Sequence, residues 1–538
     1  MPILVRNLKL RLDESEALLP LLAARRLKVP VEAIRVWSPV RRSLDARRAD
    51  DLVYVYSLEL ALRGPISEEL RIVQRLHRGD TVMLIPRAYE LPEPGTTPLK
   101  HRPVVVGFGP AGMFAALRLA EYGYAPIVLE RGRDVRRRHA DVLKRFYRDG
   151  DFDPESNLLY GEGGAGAYSD GKLYTRVNDP LVDEVLESFF RHGASPDILL
   201  EGRPHVGSDK LPGICRRMRE RIIAAGGEVC FDQRLDDVEI RDGRITALTV
   251  NSRRQACGPV LLGVGHSARD TLRRLASRGV RLSAKPFQLG VRIEHPQSMV
   301  DRWQYGAACG HGRLPPADYH LVGKRAAGPR GDAFSFCMCP GGMILPSNES
   351  AGEVATNGAS RSARSGAFAN AGLVITVGTD DFDNDPLAGL ALQERLERRA
   401  FRLTGETYAV PCQRAADYLA DRASDGTLET SYPLGGRWSA VREVLPGFVA
   451  EAVARGLEIL DRRLPGFAGS HALVTAPETR ASAPFRIDRD ATTRMSTTVQ
   501  DLYPIGEGAG YAGGIISAAI DGLKTADALI RRYGKYSQ

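Results

Sequence analysis

The chain has 538 residues, with 74 Lys and Arg against 66 Asp and Glu for a net charge of +8, and is 43% hydrophobic and 26% charged. At roughly 150 residues per domain that is room for three or four structural units, which excludes a disulfide-stapled miniature, a mostly disordered chain and a membrane-embedded one. The mild positive balance does not by itself point to nucleic acid, and seven cysteines, odd in number and scattered, fit a reducing cytoplasm better than a disulfide framework.

Glycine is the outlier, at 55 residues without a collagen-like period, so the excess belongs in loops that need close backbone approach. No apolar run is long enough to span a membrane. The apolar stretch from Ala17 to Ala24 follows Asp13, Glu14 and Glu16, which is wrong for a signal peptide. The expectation is a soluble, cytoplasmic protein.

The first hundred residues alternate in period. Leu4, Leu8, Leu10 and Leu12 share one strand face, Asp13 caps a helix running to about Leu27, and Ile34 to Val40 and Leu52 to Leu62 read as strands. A helix from Ser67 to His77 and a strand from Thr81 to Ile85 complete the order βαββαβ of a ferredoxin-like α+β domain, residues 1–86. Prolines at 86, 92, 94, 98 and 103 then mark a linker over 87–100.

Next comes a complete βαβ unit. Val104 to Val106 run into Gly107-Phe-Gly109-Pro110-Ala111-Gly112, followed by an amphipathic helix to about Tyr122 and a strand from Pro126 to Leu129 that ends at Glu130. The three glycines suit a tight turn, an open approach to a pyrophosphate and close helix-on-strand packing, and Glu130 is placed for ribose hydroxyls. The helix N-terminus offers N–H groups to phosphate. A second glycine loop, Gly161 to Gly166 with Gly163 and Gly164 inside it, precedes Ser169, Asp170, Gly171 and Lys172. Further on, a helix over Ile214 to Ala225 and an Asp242-Gly243 turn are expected.

Gly263-Val-Gly265-x-x-Ala268 after Val260 to Leu262 imitates a second fingerprint, but no acid follows about twenty residues on. The middle of the chain mixes short strands with helices over Leu387–Leu403 and Gly447–Leu464. Near the C-terminus, Leu502 to Ile505 lead into Gly506-Glu507, the run Gly508 to Gly514 with Gly513 at its end, and a helix from Ile515 to about Arg531. A dinucleotide domain for NAD alone needs no such return, whereas a flavoprotein uses it to aim a helix N-terminus at the ring.

These motifs together resemble a family of bacterial FAD-dependent dehydrogenases of unassigned substrate, a branch of the glutathione-reductase-type flavoproteins. They are GFGPAG with Glu130-Arg131-Gly132, GEGGAGAYSDGKL, VGHSARD, FSFCMCPGG and YPIGEGAGYAGGI. One departure is Gly263-Val264-Gly265 where family members usually carry Ala-Thr-Gly. The resemblance implies non-covalent FAD, with Glu130 at the adenosine ribose, Gly163 to Ser169 on the pyrophosphate and flavin side, and Glu507 at the ribityl chain. The expected cofactor contacts are Gly107, Gly109, Pro110, Ala111, Gly112, Glu130, Arg131, Gly163, Gly164, Gly166, Ser169, Gly265, Gly506, Glu507, Gly513, Gly514 and Ile515.

The fold expected is α/β. A Rossmann-type FAD-binding domain, residues 101–285 and 471–538, is interrupted by an α+β substrate or cap domain at 286–470 and preceded by the ferredoxin-like unit. Candidate reacting groups are Cys337 and Cys339, read either as a redox pair or as packing thiols on one strand face; Arg480, with Arg486, as an anion clamp; and Tyr511 as a proton donor or ring cover. His266 reads as a hydrogen-bonding turn residue rather than an acid or base. No metal-site spacing occurs. The function expected is oxidoreduction by hydride transfer on a small molecule, with NAD(P)H as a candidate donor. A rival reading takes Tyr54, Tyr56 and the nearby arginines 41, 42, 47 and 48 as an RNA face, although nucleic acid is the lesser expectation. A non-catalytic FAD scaffold is a third. Oligomeric state is left open.

Overall fold

The structure, a computed structural model, describes residues 2–76, 79–84 and 89–536. The expected helix end at His77, strand end at Ile85 and linker start fall outside those residues. The first unit is a four-stranded antiparallel sheet in the order Ile34–Asp45, Val53–Leu62, Ile3–Arg11, Thr81–Met83, with helices Leu19–Leu27 and Ile66–Leu76, so the chain order βαββαβ is present. Its first strand does not alternate as the sequence suggests. Asn7 takes a left-handed φ of 58° in a bulge, which turns Ile3 and Val5 to the same core as Leu8 and Leu10 and sends Leu12 to the middle domain. The cap is likewise Ser15, whose hydroxyl accepts from the Ala17 N–H, rather than Asp13.

The described part of the proline-rich segment is a packed strap. The Gly95 N–H donates to Ile530 O and that of Thr97 to Arg532 O, while the Tyr89 hydroxyl donates to Asp527 at 2.7 Å. Proline suits this extended path, because it fixes φ and needs no partner for an N–H.

A five-stranded parallel sheet follows, ordered Leu502–Pro504, Val260–Leu262, Val104–Val106, Ile127–Leu129, Glu228–Cys230. Val104–Val106 has its crossover partner Ile127–Leu129 on one side and the later strand Val260–Leu262 on the other. Strand order reverses there, and a crevice opens at the carboxyl ends. The helix Pro110–Glu121 is not amphipathic, since every residue from Ala111 to Ala120 is buried between the sheet and the terminal helix Ile515–Arg532. Even Arg118 is enclosed, paired with Glu184 at 2.8 Å.

The middle unit is a mixed sheet in the order Val322–Gly323, Ala333–Pro346, Phe368–Val377, Phe287–Pro296, Leu473–Glu478, Val410–Arg414, Gly436–Trp438, with Thr356–Ser360 on the edge of Ala333–Pro346. Helices Pro386–Leu403 and Gly447–Asp461 close its core. Leu473–Glu478 pairs with Phe287–Pro296 and Val410–Arg414, so residues 473–478 belong to this sheet and not to the C-terminal return. The chain leaves and re-enters through the two-stranded ribbon Leu282–Ala284 with Phe485–Ile487.

Candidate functional site

A cleft of about 520 Å³ lies at the carboxyl ends of the parallel strands, and three glycine segments meet in its wall. Gly107 sits at φ 93°, where a side chain is strained. A Cβ on Gly112 would run into the Gly107 carbonyl, so this glycine lets helix and strand touch and does not itself line the cleft. Gly109 meets only the Gly164 Cα, at 3.8 Å from where its Cβ would be, and otherwise faces open space. Gly265, Gly513 and Gly514 likewise have nothing within 4 Å on the Cβ side.

The expected contacts Gly107, Gly109, Pro110, Ala111, Glu130, Arg131, Gly164, Gly166, Ser169, Gly265, Gly506, Glu507, Gly513, Gly514 and Ile515 all line this cleft. Gly163 does not. Its φ is 83° and its Cβ would meet Cys215 and Ala167, so it shapes the loop from behind. Gly263 to Ala268 line the same cleft, which makes the apparent second fingerprint a further turn of one site.

Glu130 is buried and accepts N–H bonds from Phe108 at 2.7 Å and from Gly132 and Gly161 at 2.9 Å. Those three bonds join the fingerprint turn to the second glycine loop and leave one lone-pair site of the carboxylate for a hydroxyl. Arg131 is held by Glu155 and Asp270 and lies 4.1 Å from the centre of the Tyr160 ring. The second loop is pinned by Arg138, fully buried without a carboxylate bond, which donates to the carbonyls of Asn157, Glu162 and Gly164 at 2.7–2.9 Å. The sequence offered only a run of arginines there, with nothing to single this one out.

Two buried cleft-wall nitrogens, His266 Nε2 and Arg480 Nε, have no hydrogen-bond partner among the described residues, and neither has Asp170 Oδ1. Buried polar atoms are rarely left so, and a wall that combines them with open glycines and two helix N-termini fits a polar, phosphate-bearing dinucleotide. His266 Nδ1 is 3.5 Å from Glu507. Burial, helped by Arg480, Arg269 and Lys285, pushes His266 down to about 3, so the imidazole is neutral. Burial pushes Glu507 up to about 7, against the pull of Lys285.

Arg480 stands in the cleft wall with its terminal nitrogens already taken by groups of this chain. It belongs to a buried network in which Glu397 receives Arg269 at 2.9 and 3.0 Å and Arg480 at 2.8 Å, with Glu349 and Glu353 3.2–3.9 Å from the same two guanidiniums. Arg486 is exposed and lies over the Tyr511 ring. Tyr511 is absent from the cleft wall, and its hydroxyl accepts the Arg489 N–H at 3.2 Å between the two guanidiniums that cover the ring.

Cys337 lines the cleft; Cys339 is buried behind it. They do not alternate as a plain strand, because Cys337 takes a φ of 45° in a bulge between Phe336 and Cys339, and Met338 packs into the middle core. Both sulfurs nonetheless reach Lys172 Nζ, at 3.8 and 3.7 Å. Lys172 and its partner Asp170 close the second glycine loop, and no role for them was legible in the sequence. Their meaning depends on residues far away in the chain.

The expected RNA face is not an open platform. Tyr56 is fully buried and donates to Glu16, and Tyr54 lies under Arg42 and Arg313 with its hydroxyl donating to Arg313 O at 2.6 Å. Arg42 pairs with Glu201, Arg47 with Asp45 and Arg48 with Asp50. These groups dock the first unit on the rest of the molecule or pair locally.

Residues 286–481 match the family described as FAD-dependent protein, C-terminal domain-like, nearly the span of the middle unit, and residues 2–61 match a domain of unknown function. A protein of Clostridium beijerinckii described as uncharacterized is 41% identical over 536 residues, covering 99% of each chain. Among solved structures, glycine oxidase from Geobacillus kaustophilus is 11% identical over 82% of this chain and 97% of its own, with a TM-score of 0.36. L-proline dehydrogenase from P. horikoshii is 11% identical over 81% and 94%, with a TM-score of 0.33. Among the described residues no helix is long and apolar enough to cross a membrane.

Proposed function

Because this chain belongs to one family with the clostridial protein along its whole length, and residues 286–481 match the FAD-dependent C-terminal-domain family, we propose that it is an FAD-dependent oxidoreductase acting on a small molecule. One observation carries the reading. Three glycine segments from distant parts of the chain line a single cleft at the switch point of the parallel sheet, and the wall between them holds unpartnered polar atoms.

Glu130 would hold the adenosine ribose, the N-termini of Pro110–Glu121 and Ile515–Arg532 would face the pyrophosphate and the ring, and Glu507 with neutral His266 would face the ribityl chain. Bound FAD would supply a two-electron hydride acceptor or donor. The chain's own part is to exclude water and fix the approach. Tyr174, Thr175 and Arg176 line the cleft with Lys172 and Cys337 and, with Tyr174 and Arg176 exposed, would form its mouth. NAD(P)H, if it is the donor, would have to reach the flavin through that mouth. On this reading the protein is cytoplasmic, and the first unit is a ferredoxin-like docking domain whose Arg42 and Tyr54 are spent on the interface.

The test is simple. Acid precipitation of the purified protein should release one FAD per chain into the supernatant, and recovery of FMN, NAD or no cofactor from flavin-replete cells overturns the assignment. With excess NADH or NADPH and no oxygen, bleaching of the flavin band identifies a nicotinamide donor.

A further inference from the structure

The groups around the two thiols come from five separate segments and balance in charge only if one sulfur is ionised. Lys172 lies 2.7 Å from Asp170, and Arg364 lies 2.9 Å from the same carboxylate oxygen, so two cations share one anion. All three side chains are enclosed, at 19%, 13% and 1% exposure for Lys172, Arg364 and Asp170. Behind the thiols Arg292, fully buried, is already matched by Glu478 at 2.9 Å, and its Nη1 points at Cys337 O at 3.4 Å. The uncompensated charge is therefore positive and sits at Lys172 Nζ, whose other near neighbours are the two sulfurs. A buried cation without a counter-ion is costly.

We propose that Cys337 is the counter-ion, a thiolate held by Lys172, and that it is the reactive nucleophile of the cleft, open to soft sulfur electrophiles. This rests on the reading of the cleft as the FAD site, because Cys337 then stands at its flavin end. The two sulfurs divide the labour by burial. Cys337 is half-buried and lines the cleft, whereas Cys339 is sealed behind it and stays a thiol, its S–H donating to Cys337 O at 3.2 Å.

The other facing groups act in both directions. Arg292 adds to Lys172 in favouring the thiolate; Asp170 opposes it, and so does Glu478. Glu507 and Tyr174 face it more weakly from the terminal segment and the mouth. His205 and Arg364 act through Asp170. With the Cys339 side chain and Lys172 nearest, Cys337 is held well below the usual thiol range while Cys339 is driven above it. With a disulfide as the electrophile, the Cys337 sulfur forms a bond to one sulfur of the reagent and the other leaves as a thiolate. No external oxidant or reductant is consumed.

The test uses 5,5′-dithiobis(2-nitrobenzoate) at limiting concentration on flavin-stripped and on FAD-reloaded full-length protein, with the label mapped by peptide mass. Cys309 is an exposed internal control. In the stripped protein Cys337 should react ahead of Cys309 at pH 6, and its lead should shrink towards pH 8. Reloading FAD should slow Cys337 at least about tenfold and leave Cys309 unchanged. Lys172→Gln should abolish the pH 6 lead and Lys172→Arg should restore it. Should the Lys172 variants fail to fold, the rate of Cys337 in the unaltered protein must still level off at a lower pH than that of Cys309. Labelling of Cys309 alone at pH 6, a lead unaffected by these variants, or no protection by FAD each overturns the proposal. Absence of bound FAD in the purified protein instead overturns the functional reading and leaves the thiolate measurement standing.

Discussion

The glycine wall of the cleft and its ionised wall are built by opposite means. In the glycine wall, side chains are removed so that backbone can approach: Gly109 beside Gly164, Gly513 and Gly514 over open space, and, just behind the surface, Gly112 against the Gly107 carbonyl. In the ionised wall, side chains are added and made to satisfy one another, with Lys172 against Asp170 and two thiols, and Arg480 backed from behind by Arg269, Glu349, Glu353 and Glu397. The first wall leaves vacancies and the second leaves a few unpaired atoms. Binding is expected where the vacancies are, and stability and charge control where the pairs are.

The largest effect should come from the ionised wall. Glu397 is fully buried, bonds both guanidiniums and accepts from Thr479. Glu397→Gln takes the direct charged hydrogen bonds from two buried guanidiniums and, even with Glu349 and Glu353 left to offset their charge, should cost about 3 kcal/mol at pH 7. Denaturant unfolding measures it, and a loss below about 1 kcal/mol would show that the network is not holding the two domains.

The glycine wall separates into two kinds of position. Gly112→Ala forces a methyl into backbone and should cost about 1–3 kcal/mol whether or not cofactor is present. Gly109→Val should leave stability of the flavin-free protein within about 0.5 kcal/mol, because φ there is −78° and the new Cβ makes an ordinary contact, yet should yield protein without FAD. Flavin content and denaturant midpoints on the same samples decide it. Full occupancy in Gly109→Val would mean that the open side of this turn does not face the pyrophosphate.

What the sequence made legible follows the same division. The glycine wall could be read because each of its segments is local: a strand, a turn of fixed spacing and a helix lie within twenty residues, and Glu130 follows in register. The ionised wall could not, since Lys172, Cys337, Arg364 and Arg292 are brought together only by the middle sheet. Arg480 was read as an anion clamp, and the sequence did not reveal the buried network it belongs to, because a motif shows residue type and not enclosure. That Tyr511 lies outside the cleft wall, covered by two guanidiniums, was hidden for the same reason. The βαββαβ order was readable from period alone, but Asn7 shows the limit, where one bulged residue moved the strand's buried face from Leu4 to Ile3 and Val5. Strand Leu473–Glu478 fell on the wrong side of a boundary because nothing in its six residues tells which sheet it joins.

The smallest effect at neutral pH is the most specific. Three carboxylates face Arg269 and Arg480, so the cluster carries one surplus negative charge unless a carboxyl stays protonated. Glu397, in direct bonds to both guanidiniums, is the ionised one, and Glu353, at 3.5–3.9 Å from them and 1% exposed, is the neutral one, pushed up to about 8 chiefly by burial and next by Glu397. The raised value fixes the sign. Below the ordinary carboxyl range Glu353 is protonated in both states. Between about 4.5 and about 8 the folded form keeps a proton that the unfolded form has lost, so stability falls as pH rises through that window. Glu353→Gln replaces a neutral acid by a neutral amide. It should change stability by less than about 1 kcal/mol near pH 5 and remove a slope of up to about 1.4 kcal/mol per pH unit above it, so that the variant is the more stable protein at pH 8. Denaturant midpoints taken at pH 5, 6.5 and 8 measure both. Parallel pH profiles for the two proteins would mean that Arg398, 3.4 Å from Glu353 at the surface, keeps this carboxylate ionised and that the surplus proton sits elsewhere in the cluster.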